Sequence, residues 1–127
     1  MTEQNTIAII GASSNRAKYG NKAVRAYQAQ NFTVYPINPT ASEIEGVPAY
    51  ASLLDVPGKV ETASVYLPPV KTLSILDHLK EKGVSTIFLN PGSEDAAVVA
   101  RAQELGLNII QACSIIAAGH SPSEFAE

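Results

Sequence analysis

Cysteine, tryptophan and long apolar runs are what this chain has least of. One cysteine, Cys113, excludes an internal disulfide framework. With His78 and His120 as the two histidines, Cys113 makes no metal-ligand spacing either, so no metal site is expected. No stretch approaches the roughly 18 consecutive apolar residues of a membrane-spanning helix. The opening MTEQNT has neither the basic nor the apolar region of a signal peptide, so a soluble, cytoplasmic protein with no membrane partner is expected. A net charge of −3 and a pI near 5.3 argue against general nucleic-acid binding. One further absence is local: no carboxylate occurs between Glu3 and Glu43.

That carboxylate-free stretch holds Arg16, Lys18, Lys22 and Arg25, four of the nine Lys and Arg residues, within ten positions. The segment is positive inside an acidic protein. At 127 residues and 46% hydrophobic, the chain reads as a single domain, 1–127, with 116–127 as a C-terminal tail. A chain of this length buries roughly two-thirds of the surface it exposes when unfolded, and needs no staples.

Strand-like runs occur at TIAIIG (6–11), FTVYPIN (32–38), TASVYL (62–67), STIFLN (85–90) and LNIIQA (107–112). Most are continuous apolar runs, as parallel strands covered on both faces require. Helical patterns lie between them. From 21 to 30, Val24 and Tyr27 sit one turn apart, and Asn31 can close the helix in a left-handed conformation. From 70 to 82, Val70, Leu73, Leu76 and Leu79 repeat at helical spacing, with Lys80 and Lys82 in the last turn and Gly83 as the stop. From 94 to 105, Ser93 is the candidate cap, Glu94 and Asp95 complement the helix dipole, and Gly106 ends the element. Residues 40–58 read as irregular, with a short helical turn at SLLD. Strands and helices alternating at these lengths predict an α/β fold: a three-layer open parallel sheet of about five strands with helices on both faces.

In such a sheet the ligand crevice lies at the carboxyl ends of the strands. The first strand ends in Gly11-Ala12-Ser13-Ser14, the second in Asn38-Pro39, the third in Leu67-Pro68-Pro69 and the fourth in Asn90-Pro91-Gly92. Proline at three of these four turns serves either to stop a strand or to stiffen a rim, and three at one edge favour a shaped cleft. The first turn differs. Gly11 permits close backbone approach, and the loop leads to a helix N-terminus, where anions bind. Lys18 and Lys22 oppose the dipole there unless an anion is bound; otherwise they extend into solvent. The loop is neither G-x-G-x-x-G nor a P-loop. The second strand ends in Ile37-Asn38-Pro39, without the carboxylate that would hold a nicotinamide ribose, which disfavours ordinary NAD binding. A first strand ending in Gly-Ala-Ser likewise lacks the acidic cluster of a phosphorylated receiver domain.

GASSNRAKYGNK (11–22), VYPINP (34–39), GVPAYASLLDVP (46–57) and the region around Cys113 resemble the small, single-domain CoA-binding proteins, over about 7–113. The resemblance implies a Rossmann-like fold similar to the nucleotide-binding domain of the succinyl-CoA synthetase α subunit, whose strand-end motif VYLPP (65–69) resembles. It further implies CoA or acyl-CoA as ligand. Gly11, Ala12, Ser13, Ser14, Lys18, Tyr19 and Gly20 would receive the phosphates with Arg16 in the same loop. Asn38 and Pro39 would lie by the adenosine. Leu67, Pro68 and Pro69 would wall the cleft, opposite the Asn90-Pro91-Gly92 turn. The chain departs from many relatives in having Leu67-Pro68-Pro69 where they carry an arginine, Gln111-Ala112 where they carry Asp-Arg, and LNPG (89–92) where they show a glutamine-containing turn.

No catalytic group is expected. His78 falls among solvent-facing positions, His120 lies in the tail and Cys113 reads as a small buried hydrophobe; Tyr19 and Tyr66 either stack on adenine or belong to the core. The expectation is a binding module for a small nucleotide ligand, with a protein partner and dimerisation through exposed helices compatible with it. An NAD(P)-binding Rossmann protein and a ligand-free interaction module are the alternatives.

Overall fold

The computed structural model describes residues 5–120 and Glu124. Strand β1 (Thr6–Ile10) is followed by helix α1 (Tyr19–Ala29) and strand β2 (Thr33–Ile37). A two-stranded antiparallel ribbon, β3 (Glu43–Ile44) and β4 (Val47–Pro48), and a 3₁₀ turn at Leu53–Asp55 come next. The chain then alternates through β5 (Thr62–Val65), α2 (Pro69–Lys82), β6 (Thr86–Leu89), α3 (Ala96–Glu104), β7 (Ile109–Gln111) and α4 (Ser114–Ala117). The main sheet is wholly parallel in the order β2-β1-β5-β6-β7, the α/β architecture expected from the sequence.

All five β1 residues are buried, because the sheet is covered on both sides. Ala8 and Ile10 join the core beneath α2 and α3, with Leu76, Leu79, Val98 and Ala102. Ile7 and Ile9 join the core beneath α1 and α4, with Ala23, Val24, Tyr27 and Ile115. Pro36 sits within β2, the edge strand, where a missing ladder N–H is tolerated. Its carbonyl accepts from Tyr50 N, which seals part of that edge.

Helix ends follow the expected stops at Asn31 (φ 64°) and Gly83 (φ 73°), both left-handed. The cap of α3 does not follow. Asp95, rather than Ser93, accepts from Val98 N at 3.0 Å, while the Ser93 hydroxyl donates to Asn90 O at 2.7 Å across the turn between them. Glu94 therefore precedes the helix instead of opening it. Residues 40–58 are less irregular than expected: the β3–β4 ribbon turns at Glu45-Gly46, and strands of two residues carry no readable period. The SLLD turn is present, with Ser52 accepting from Leu54 N.

The tail expected over 116–127 starts inside an element. Helix α4 packs on α1, with Ser114 and Ile115 fully buried, and the turn that follows brings His120 N to Ile115 O. Residues 121–123 and 125–127 of that tail lie outside the described residues. No helix among the described residues is long and apolar enough to cross a membrane.

Candidate functional site

The strand order reverses between β1 and β5, since β1 leads outward to β2 and the chain then returns to the other side of β1. Crevices form at the carboxyl ends of strands at such a switch point. A cleft of about 630 Å³ lies there, within the usual range for small-molecule sites.

Its floor is built by two close backbone approaches. Gly11, at φ 94°, places its Cα so near β5 that a Cβ would stand 2.8 Å from Tyr66 O. Gly20, in the first turn of α1, backs onto the same loop, and a Cβ there would stand 2.3 Å from Gly11 O. These contacts seat the N-terminus of α1 directly on the end of β1. Asn38 braces the assembly: its amide donates to Ala12 O, and its Oδ1 accepts from Thr40 N and Ala41 N, each at 2.9 Å.

Helix α1 opens without a side-chain cap and without an acidic residue in its first turn. The amides of Tyr19 and Gly20 have no partner among the described residues, and neither do those of Ser13 and Ser14. Unpaired amides at the positive end of a helix dipole form an anion site. Lys18 stands at that end, exposed and with no ion pair among the described residues. The Lys22 ammonium lies 5.1 Å from the centre of the Tyr19 ring, a cation–π contact that holds it beside the same edge.

The cleft brings together most of the residues singled out in the sequence. Gly11, Ala12, Ser13, Lys18, Tyr19 and Gly20 line one side, Asn38 and Pro39 the end, and Leu67, Pro68, Pro91 and Gly92 the opposite rim. Four others stand apart from it. Ser14 is exposed on the loop, and Pro69 is the first residue of α2. Arg16 turns away to pair with Glu45 at 3.3 Å, so the β3–β4 ribbon supplies the carboxylate that the local sequence lacks. Asn90 is buried and lines a smaller recess of about 220 Å³, with Tyr19, Tyr66, Pro91 and Cys113. Ser93 is a lining residue that the sequence presented only as a helix cap.

Beneath the recess lies a buried polar network. The Asn90 amide donates to Ser64 Oγ (2.8 Å) and Val65 O (2.9 Å), and its Oδ1 accepts from Ser114 N (2.8 Å). Ser64 Oγ and Ser114 Oγ are 2.6 Å apart, Tyr66 Oη is 3.0 Å from Ser114 Oγ, and the Tyr27 hydroxyl donates to Ser114 O at 2.8 Å. The network pins α4 to the ends of β5 and β6. Nothing in the sequence tied Ser114 to Ser64, because the two are fifty residues apart.

Burial pushes the Tyr66 phenol up to about 12, against a smaller downward effect of the Ser114 and Ser64 hydroxyls. A folded-state value above the unfolded one means that the native state holds this proton more tightly. The corresponding stability is complete below about pH 10 and is lost as pH rises through about 12. At about 1.4 kcal/mol per pH unit, the loss approaches 2–3 kcal/mol. Urea midpoints measured from pH 9 to 12 are expected to fall more steeply for the wild type than for Tyr66→Phe. Parallel curves would refute the assignment.

His78 lines a neighbouring groove along α2. The His120 ring lies 2.9 Å from the Gln30 amide, just past the far end of α1, and 2.9 Å from Glu124. Neither imidazole lines the cleft.

Comparison with known proteins agrees with this geometry. Residues 5–119 match the family described as "CoA binding domain". An ADP-forming acetate–CoA ligase of Methanocaldococcus jannaschii is 35% identical over 79 residues, which cover 62% of this chain and 11% of the ligase. A conserved hypothetical protein of Pyrococcus furiosus superposes with a TM-score of 0.82 at 29% identity, covering 89% of this chain and 98% of that one. A dinucleotide-forming acetyl-coenzyme A synthetase of Candidatus Korarchaeum cryptofilum, in complex with phosphate and ADP, gives 0.75 at 31% identity, covering 85% and 25%. This chain thus spans only a small part of the length of the ligases it matches. A Rossmann-like parallel sheet, a cleft at its switch point and a family match over residues 5–119 together place the chain in the CoA-binding domain family.

Proposed function

We propose that the protein is a CoA or acyl-CoA binding module without chemistry of its own, with the ligand's phosphates held at the loop after β1. The observation that carries this reading is the α1 N-terminus. Its unpaired amides and the exposed Lys18 face a cleft whose floor is too tight for any side chain at Gly11 or Gly20. Such a donor set fits phosphate oxygens: amides and a lysine supply point donors and positive charge, and no carboxylate among the described residues lines the cleft to repel them. The neutral β2 end fits a ribose that needs no carboxylate partner, and Asn38 there is committed to bracing the loop. Pro39, Leu67, Pro68 and Pro91 give stiff, largely apolar walls for the rest of the ligand.

Support for a non-catalytic role comes from the lining itself. Among the described residues it carries no carboxylate, imidazole or thiol, and its serines have no carboxylate or imidazole beside them; the Cys113 thiol lines the adjoining recess. The ligase relatives hold the matching segment within much longer chains, so we place ligand capture in this unit and any acyl transfer outside it. Thermal unfolding with CoA, 3′-dephospho-CoA, NAD and NADP tests the reading. A ligand at about 100 times its dissociation constant adds roughly 2.7 kcal/mol, which raises the midpoint by several degrees in a domain of this size. The expected result is a rise with CoA, smaller with the dephosphorylated form. A rise with NADP alone would replace the reading by a redox one, and no rise with any of the four would leave an interaction module.

A further inference from the structure

The direction of the buried hydroxyl chain can be settled by counting protons. Both protons of the Asn90 amide are spent, one on Ser64 Oγ and one on Val65 O. Ser64 is fully buried, and among the described residues its oxygen has two partners within hydrogen-bond distance, Tyr66 Oη lying farther off: the Asn90 amide, which can only donate to it, and Ser114 Oγ at 2.6 Å. The Ser64 proton must therefore go to Ser114 Oγ, since the reverse arrangement strands a buried donor. Ser114 is also fully buried, and its own proton then has one acceptor left, Tyr66 Oη at 3.0 Å. The chain runs Asn90 → Ser64 → Ser114 → Tyr66, each bond polarising the next. At its end Tyr66 Oη accepts, and the phenolic proton is left without an acceptor among the described residues.

That proton belongs at the recess beside the cleft. Tyr66 lines both spaces, and its hydroxyl is held against Ser114, whose chain neighbour Cys113 and hydrogen-bond partner Asn90 line the recess too. Tyr19 and Pro91 complete the recess and connect it to the cleft. No lysine, arginine or histidine lines it, so it is built for an uncharged group rather than a phosphate. We propose that the Tyr66 phenol is a preset hydrogen-bond donor to an uncharged carbonyl of the bound molecule, a pantetheine amide or the thioester of an acyl group. The assignment rests on the CoA reading and adds to it a polarity: phosphates at the α1 N-terminus, the neutral arm toward Cys113.

Titration calorimetry of the wild type and Tyr66→Phe with CoA, acetyl-CoA and adenosine 3′,5′-bisphosphate separates the two claims. The variant keeps the ring, and its unfolding curve establishes that it is folded at the titration temperature. The expected result is a five- to tenfold weaker affinity for CoA and acetyl-CoA, in line with one lost hydrogen bond, and an unchanged affinity for adenosine 3′,5′-bisphosphate, which lacks the neutral arm. A loss for acetyl-CoA alone identifies the thioester carbonyl as the acceptor; an equal loss for both coenzymes identifies an amide. Unchanged CoA and acetyl-CoA affinities, or an equal loss for all three probes, would overturn the Tyr66 assignment while leaving CoA binding intact. A wild type that binds none of the three would overturn the CoA reading itself, and this assignment with it.

Discussion

Replacing Gly20 by alanine is expected to destabilise the protein by about 1–2 kcal/mol, an overpacking cost less the gain in helix propensity, and to remove ligand binding, although Gly20 lies in a helix. In an open helix the same change is favourable by up to about 1 kcal/mol, because glycine loses more backbone entropy than alanine. Here the added Cβ would stand 2.3 Å from Gly11 O and 3.2 Å from Ala12 Cα, and both are backbone atoms that no rotamer change can move. The helix must shift off the end of β1, at an overpacking cost of roughly 1–3 kcal/mol or more. Gly11 O lies in the loop whose amides face the cleft, so the same shift opens the anion site. Gly11→Ala meets a related obstacle, with a left-handed φ of 94° and Tyr66 O at 2.8 Å. Denaturant unfolding and a CoA titration of Gly20→Ala check the prediction. A variant as stable as the wild type, or more so, would show that helix propensity dominates and that α1 has room to move away from the end of β1.

The α/β alternation was legible because its signals are local. Continuous apolar runs marked β1 and β6, and Gly83 marked the end of α2. The edge of the sheet was legible for the same reason: the ends of β1, β2, β5 and β6 carry their turn residues beside them, and topology then collects most of these at one cleft. What could not be read depends on partners far away in the chain. Arg16 looked like a phosphate ligand only because Glu45 is twenty-nine positions away, in a ribbon whose two-residue strands have no period. The region after Cys113 looked like a tail because one turn of helix is too short to show amphipathicity. Burial of Ser114 against Ser64, Asn90 and Tyr66 holds α4 in place, and two of those four positions, Ser64 and Ser114, are unremarkable polar residues in the sequence. Asn90 shows the limit of reading by position: it ends a strand at the right edge, yet its amide is wholly occupied with backbone and serine partners.

Lys18→Glu should move stability and binding in opposite directions, which separates a functional residue from a structural one. The wild-type lysine stands at the N-terminus of α1, where its charge opposes the helix dipole, and it makes no ion pair that would offset this among the described residues. A glutamate there complements the dipole, an effect of about 0.3–1 kcal/mol at an exposed position. The unliganded variant is therefore expected to unfold at a slightly higher temperature than the wild type. Ligand binding changes the other way. Removing a positive charge and adding a negative one near phosphate oxygens costs several kcal/mol at a partly screened surface, so CoA affinity is expected to fall about a hundredfold or more, and Lys18→Met about tenfold. Raising the salt concentration should narrow the gap between the glutamate variant and the wild type, because the interaction is electrostatic and exposed. If the glutamate variant binds CoA as tightly as the wild type, the phosphates do not sit at this helix. If it also loses stability, Lys18 has a packing role that the exposed side chain does not show. A gain in stability with a loss of affinity is the outcome that only an anion at the α1 N-terminus explains.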